Sequence, residues 1–561
     1  MSEASNLRKH RGIFYTPEDI ANFLVDWAIR SPNTSVLEPS CGNGIFIEHA
    51  IKRILSLGAN KEEIVKLVLG VEIDSGEVKK TKSRLFQLEV PLANEIVVKS
   101  DFFEFCKSNL WEKRSFDAII GNPPFIRYQQ FKKEREIAFE LMRGASLNPN
   151  GHTNSWVPFL VISSLLLNDK GLLAMVIPAE LFQVKYAAET RRFLSKYFNK
   201  LTIVTFKKLV LEGPLQEIVL LLGERNNGQK EGIRVIELED VAELNKLREV
   251  IIKKSARPFL TEDTKPLNHG EDKWTQYFLE KEEILLLKDL ISNPDVVEIK
   301  SLFTVDIGVV TGKNRYFVLN EATVNEKQLS PHTRDIITSS AALEGIRFSQ
   351  NDWQRNVAKG MPTFLFKPPI VAPEQFPPAV KDYIREGEKQ GVEKGFKCRI
   401  RNEWYRVPTI WSPDGFIIRQ IHEYPKIVLN ETSATCTDTI HRIKLLNKEI
   451  KQGVAVAFLN SMTFAFAEVI GRSYGGGILM LEPSEAERLP IPIKGFEKLN
   501  FDEVDKLVRE NNLEAVLEKN DKILLEEGLG LTKAQIIMLR GIWRKLRDRR
   551  HNRGRKKKTN K

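Results

Sequence analysis

Short, β-branched apolar runs recur through the first 225 residues and alternate with stretches whose apolar positions return every three or four residues. Seven such runs stand out: Ser35–Glu38, Val68–Glu72, Glu95–Val98, Phe116–Ile120, Leu172–Ile177, Leu201–Val204 and Glu217–Leu222. Between the first two, Phe46, Ala50, Ile51, Ile54 and Leu55 fall at helical spacing within residues 45–57. Ahead of them, Ile20, Phe23, Leu24, Trp27 and Ala28 mark an amphipathic helix, for which Thr16 is the expected N-cap and Pro17 the first helical residue. Seven strands with interleaved helices predict an α/β domain built on a mostly parallel sheet covered on both faces. In such folds ligands bind over the carboxyl ends of the strands.

Polar residues cluster at those ends. The first strand runs into Glu38-Pro39-Ser40-Cys41-Gly42-Asn43-Gly44, a glycine turn where a ligand could approach the backbone without meeting a Cβ. It lacks the spacing of a phosphate loop, as does Thr311-Gly312-Lys313-Asn314, so use of a nucleoside triphosphate is not expected. Glu72 closes the second strand, where doubly wound folds bind a ribose diol. Asp101 and Phe102 follow the third, an acceptor beside an aromatic ring. The fourth ends in Asn122-Pro123-Pro124-Phe125. Two prolines can continue neither helix nor central strand, so the chain must turn there and expose its carbonyls. An amide, a proline carbonyl and an aromatic ring suit the grip of a flat, amine-bearing ring. Each feature alone is weak, since a single strand-end acid is more often just solvated and the prolines can mark a plain turn. In this order they describe S-adenosylmethionine lying across the sheet with a second planar base beside its methyl group.

Composition narrows the class. Hydrophobic residues make up 42% and charged residues 28%, values typical of globular proteins, and the length calls for two or three domains. No apolar stretch is long enough for a membrane span, and residues 1–11 show no secretory pattern. Cys41, Cys106, Cys398 and Cys436 are too scattered for a disulfide frame or a zinc site, so no metal is expected and a reducing cytoplasm is the expected setting. The net charge of +11 is uneven: residues 540–561 hold twelve Lys/Arg and one acid, while the rest of the chain balances. Polyanion contact and a solubilising end explain that tail equally well.

Residues 12 to about 225 resemble the TaqI-type, gamma-class DNA adenine methyltransferases. The motifs that carry the resemblance are Phe14-Tyr15-Thr16-Pro17, Leu37 to Gly44, Glu72, Asp101 with Phe102, and Asn122 to Phe125, in that order. The resemblance implies a Rossmann-like, seven-stranded S-adenosylmethionine-dependent domain followed by a mixed α+β target-recognition domain. It places Thr16 and Glu38 at the methionine end of the cofactor, Ser40, Cys41, Gly42 and Gly44 along it, Glu72 at the ribose, and Asp101 and Phe102 at its adenine. Asn122, Pro123, Pro124 and Phe125 become the catalytic set acting on a flipped adenine in double-stranded DNA. Phe125 replaces the commoner Tyr, and the aromatic expected on the target base's other face appears as Leu211 or shifts to Phe206.

Beyond about residue 245 the strand–helix rhythm stops. Residues 311–319, 404–408, 437–442 and 473–477 resemble the TaqI-like specificity domain, and the mixed run Arg399 to Arg406 suits either base and backbone contacts or a half-buried sheet face. The expected domains are 1–245, catalytic; 246–500, target recognition; and 501–561, helical with the basic tail. A monomer paired with a separately encoded endonuclease is expected, because few residues precede Phe14. Methyltransferases acting on ribosomal RNA or on protein glutamine share the Asn-Pro-Pro-aromatic motif and remain the alternative. They account for the first half only.

Overall fold

The structure, a computed structural model, describes residues 15–107, 115–207, 217–226, 228, 232–253, 265, 273–474 and 477–554. Two compact units divide at Phe278/Leu279, with the second reaching His551. Leu211, Phe14, Gly475, Gly476 and the last seven basic-tail residues lie outside the described residues.

The first unit is built on one eight-stranded sheet. Its strands are β1 (Val36–Glu38), β2 (Val68–Glu72), β3 (Val97–Lys99), β4 (Phe116–Gly121), β5 (Leu167–Pro178), β6 (Lys200–Phe206), β7 (Ile218–Glu224) and β8 (Gly232–Leu238), in spatial order β3-β2-β1-β4-β5-β7-β6-β8. The seven sequence-predicted strands are present. The eighth, β8, pairs parallel with β6 at the sheet's edge. Its Gly-Ile-Arg-Val-Ile-Glu-Leu pattern is half polar, as an edge strand can be, and gives a weaker apolar signal than its neighbours. Strand β7 alone runs antiparallel, against β5 and β6. Chain order reverses between β1 and β4, and this switch point sets the crevice for a ligand.

Helix α1 (Glu18–Ala28) buries Ile20, Phe23, Leu24 and Trp27 on the sheet and on α2 (Ile45–Ser56). Its start corrects the expected cap. Pro17 occupies the N-cap position, no side chain caps the helix, and Thr16 stands one residue further out. A helix of residues 241–253 also packs on α1, where Arg248 and Arg53 both reach the buried carboxylate of Asp26, at 2.5 and 3.4 Å. Residue 245 therefore lies inside a helix that belongs with the first unit.

The second unit is α+β. Its largest sheet orders the strands Phe303–Ile307, Ile440–Leu445, Gly415–Ile418, Ile427–Asn430 and Arg347–Phe348. A four-stranded sheet carries a separate core of Tyr316, Phe317, Phe366 and Tyr383, against which Trp404 and Tyr405 pack. Residues 501–551 lie in this unit, where the Asp505 carboxylate accepts from the amides of Ile346 and Arg347, and Arg509 ion-pairs with Asp352. Among the described residues, no single helix is long and apolar enough to cross a membrane.

Candidate functional site

Strand order converts a scattered set of residues into a row. The carboxyl ends of β3, β2, β1 and β4 lie side by side and lead into Asp101, Glu72, Glu38 and Asn122. Parallel pairing sets Glu38 opposite Gly70 and Glu72 opposite Lys99, while Leu37 pairs with Ile119, so the β1 and β4 ends are adjacent. Three interstrand steps of about 4.8 Å separate the outer members by roughly 14 Å.

Glu38 is 1% exposed, and its Oε2 meets no hydrogen-bond partner. Burial holds its carboxyl well above the ordinary carboxylate range, the nearby Glu72 charge adds to this, and the Ile47 amide opposes it. Gly121, the last residue of β4, faces it with φ +154°, and a Cβ there would lie 3.4 Å from Glu38 Cγ. Glu72 accepts from the amides of Gly42 and Asp74, both at 2.8 Å, and burial raises it as well. Asp101 caps the short helix Phe102–Phe105 by accepting from Phe103 and Glu104, and burial raises its carboxyl too. Three carboxyls held up by desolvation at the ends of three adjacent strands make a site that would bind a cation favourably.

The two glycines of the turn have different physical reasons. At Gly42, φ is +48° and an added Cβ would meet nothing within 4 Å, so this is the open face a ligand can approach. At Gly44, φ is +79° and a Cβ would sit 2.4 Å from Thr81 Cγ2. Thr81 belongs to the helix Ser75–Phe86, and its hydroxyl donates to the Gly42 carbonyl at 2.7 Å. Gly44 thus serves helix packing. Ser40 is half-buried in the turn. Cys41 is buried, its amide donates to Val71 at 2.9 Å, and burial together with Glu38 and Glu72 pushes its thiol up, which leaves it unreactive.

Thr16 accepts a 3.1 Å hydrogen bond on Oγ1 from Asn122 Nδ2. Tyr15 fixes this N-terminal segment: its hydroxyl donates to Glu77 at 3.0 Å and accepts from Lys80 at 3.2 Å. An amide that donates to Thr16 through its nitrogen presents its oxygen as the acceptor. The turn after Asn122 is clamped from the side by Ser155, whose hydroxyl donates to the Pro124 carbonyl at 2.5 Å and accepts from the Ile126 amide at 2.8 Å. Asn154 accepts from the Tyr128 amide at 2.9 Å and donates to the Tyr186 hydroxyl at 2.8 Å, which in turn donates to Glu180 at 2.5 Å. Pro123 and Phe125 are buried by this arrangement and Pro124 half-buried.

Sequence reasoning missed Ser155, Asn154, Tyr186 and Gly121. It missed Phe159 too, whose ring stacks on Phe102 at 5.2 Å with planes 13° apart. Phe102 is 2% exposed, so that face is taken by protein. The only signal for Ser155 was its place before the apolar helix Trp156–Leu165. Phe206 ends β6 at 3% exposure. In the second unit, Arg401 and Arg406 from the mixed aromatic–basic run donate to backbone carbonyls of Thr311 and Pro369, at 2.8 and 2.9 Å, so both hold loops in place.

Comparison with known families bears on this geometry. Residues 58–210 match the family described as Eco57I restriction-modification methylase, a span that contains Glu72, Asp101 and Asn122 to Phe125. Residues 271–525 match the C-terminal domain of type II methyltransferase M.Eco57I. The chain belongs to the type II restriction-modification methylase family. It is similar to M.HindII of Haemophilus influenzae, with 22% identity over 329 residues that cover 57% of each chain. It is also similar to M.XamI of Xanthomonas campestris pv. amaranthicola, with 19% identity over 86% of this chain and 85% of that one. The match thus spans little more than half the length of M.HindII. Among solved structures, the type IIL restriction-modification enzyme MmeI in complex with DNA shares the fold, with TM-score 0.54 and 10% identity over 95% of this chain and 75% of that one.

Proposed function

We propose that this protein transfers a methyl group from S-adenosylmethionine to the exocyclic N6 amine of an adenine flipped out of a specific double-stranded DNA sequence, as the modification half of a type II system. One observation carries the reading: the Asn122 amide, oriented by Thr16, stands one strand away from the buried Glu38 carboxyl, whose Oε2 meets no hydrogen-bond partner.

The residues fit the cofactor. Glu38 lacks a partner that an α-ammonium would provide, and Gly42 leaves open backbone beside it. Glu72 would hold the ribose and Asp101 the cofactor's adenine amine, with Ser40, Cys41, Gly42 and Gly44 shaping the turn beneath. S-adenosylmethionine supplies an activated methyl group when bound. Everything else falls to the chain's own groups. The amine of adenine is a poor nucleophile because its lone pair is conjugated with the ring. Asn122 Oδ1 and the Pro123 carbonyl accept its two hydrogens, which draws the nitrogen toward tetrahedral geometry and aims its lone pair. The Pro124 carbonyl already accepts from Ser155, so the turn offers the carbonyl before it. Catalysis is orientation by preorganised dipoles, with no covalent intermediate on the protein. Flipping the base costs a few kcal/mol, and stacking on Phe125 returns roughly 1–3 kcal/mol of it.

Asn122 ahead of the two prolines favours adenine over cytosine, in keeping with the TaqI-type motif order. The catalytic domain would extend past the expected boundary at 245 to Phe278, with target recognition in the unit from Leu279 to His551 and residues 501–551 as its helical closure, in a cytoplasmic monomer that works alongside a separate endonuclease. Transfer of tritiated methyl from S-adenosylmethionine to DNA, RNA and protein in parallel tests the reading. Label in DNA alone, on adenine, is expected; label in RNA or protein would transfer the assignment to the alternative class.

A further inference from the structure

Two segments of the second unit, residues 310–315 and 396–401, are held against each other. The Arg401 guanidinium donates to the carbonyls of Val310 and Thr311, both at 2.8 Å. Gly312, at φ +84°, passes so close to the short helix Phe396–Arg399 that a Cβ on it would lie 2.8 Å from Lys397 Cβ. The twelve residues contain five cations and no acid. Lys313, Arg315, Lys397 and Arg399 are exposed, and among the described residues none of the four pairs with a carboxylate. Phe396 and Ile400 stand 63% and 61% exposed beside them.

The densest run of cations in the sequence behaves differently. On the C-terminal helix Lys533–Gly554, Arg540 pairs with Asp521, Arg544 with Glu514, Lys545 with Glu280, Arg547 with Glu423 and Arg550 with Glu468. The positive charge that the sequence concentrates after residue 540 is therefore largely neutralised within the described part of that helix. Four exposed cations without a carboxylate partner among the described residues stand together on the 310–315/396–401 surface, where like charges repel unless an anion sits among them.

We propose that this surface binds the phosphate backbone of the DNA duplex, with Lys313, Arg315, Lys397 and Arg399 on phosphates and Phe396 and Ile400 against the sugars between them. The inference rests on the DNA-methyltransferase reading and adds to it a location on the protein for the duplex. Neutralising a phosphate releases its counterion, so each such ion pair steepens the dependence of affinity on salt. Phosphate contacts set the protein's register on the duplex without reading sequence, which is work for side chains elsewhere in the unit.

The test uses the full chain carrying Lys313→Gln, Arg315→Gln, Lys397→Gln and Arg399→Gln, with the pair Lys313→Gln and Lys397→Gln as a milder variant. Binding to a labelled duplex of random sequence is measured over a salt series, beside S-adenosylmethionine affinity and thermal unfolding. The slope of log affinity against log salt should flatten by about 0.9 for each phosphate no longer neutralised, hence by roughly 3 to 4 in the fourfold variant and about half that in the pair. Cofactor affinity and unfolding should stay as in the natural chain. A natural chain that binds duplex steeply while both variants match its slope overturns the proposal and leaves the surface to a protein partner. A natural chain that binds no duplex overturns it together with the methyltransferase reading.

Discussion

At the scale of single residues, the site depends on which atom each polar group can offer. Glu38 is the clearest case. Its carboxyl is held up by burial and by Glu72, so the cofactor-free protein keeps it protonated to higher pH than an ordinary glutamate. Because the folded value lies above the unfolded one, the stability it contributes is full below the usual glutamate value near 4.5 and is lost as pH rises through the folded value. Binding an ammonium needs the ionised form and runs the other way. Cofactor affinity should rise with pH through the same window, and Glu38→Gln should lower affinity and flatten both pH trends to what Glu72 and Asp101 contribute; calorimetric titration and unfolding across pH would show each. The glycines make a second contrast. Gly44→Ala should destabilise by about 2–4 kcal/mol, combining a left-handed backbone with a clash on Thr81. Gly42→Ala, into open space, should cost only about 1–2 kcal/mol of stability and lose cofactor affinity instead. Chemical denaturation paired with cofactor titration separates the two. Much of the row was legible, because Glu38, Glu72, Asp101 and Asn122 each follow an apolar run. What Thr16 and Gly44 do was not, since their partners Asn122 and Thr81 lie 106 and 37 positions away in sequence.

At the scale of elements, the Asn-Pro-Pro-Phe turn has no regular structure of its own and takes its shape from the segment that precedes the helix Trp156–Leu165. Ser155 is a positioning residue: it touches the Pro124 carbonyl and the Ile126 amide on either side of Phe125. Ser155→Ala removes both bonds, and should lower kcat by roughly 10–100-fold, in the manner of a small misplacement of reacting groups. Cofactor affinity should hold, and Ser155→Thr should recover part of the rate. A merely structural role would lower the unfolding temperature without this split between kcat and cofactor affinity. The strands of this unit were readable because buried strands give dense apolar runs. Strand β8 was not, being half polar at the edge, and neither was the role of Phe159, because a helix apolar on all sides marks no face.

At the scale of the molecule, two units carry two kinds of charge. The first gathers carboxyls at the switch point of its sheet, and the second sets four exposed cations side by side on one surface. Composition hid this separation, because the acids and bases of the body cancel and the whole excess falls in residues 540–561. The division at Phe278/Leu279 was equally hidden, since the helix of residues 241–253 follows the last predicted strand yet packs back on α1 near the start of the chain. Buried ion pairs inside the second unit, such as Arg550 with Glu468 at 2.8 Å, explain how a helix so rich in arginine folds onto it.

The central claim is that the Asn122 amide acts on the target base and not on the cofactor. Asn122→Ala tests it most directly, with S-adenosylmethionine affinity and methyl transfer to adenine N6 measured on the same preparation. Affinity should remain close to that of the natural chain while transfer falls by about 100-fold or more, the scale of losing one preorganised polar group in a transition state. Parallel losses of affinity and transfer, or undiminished transfer, would contradict the account.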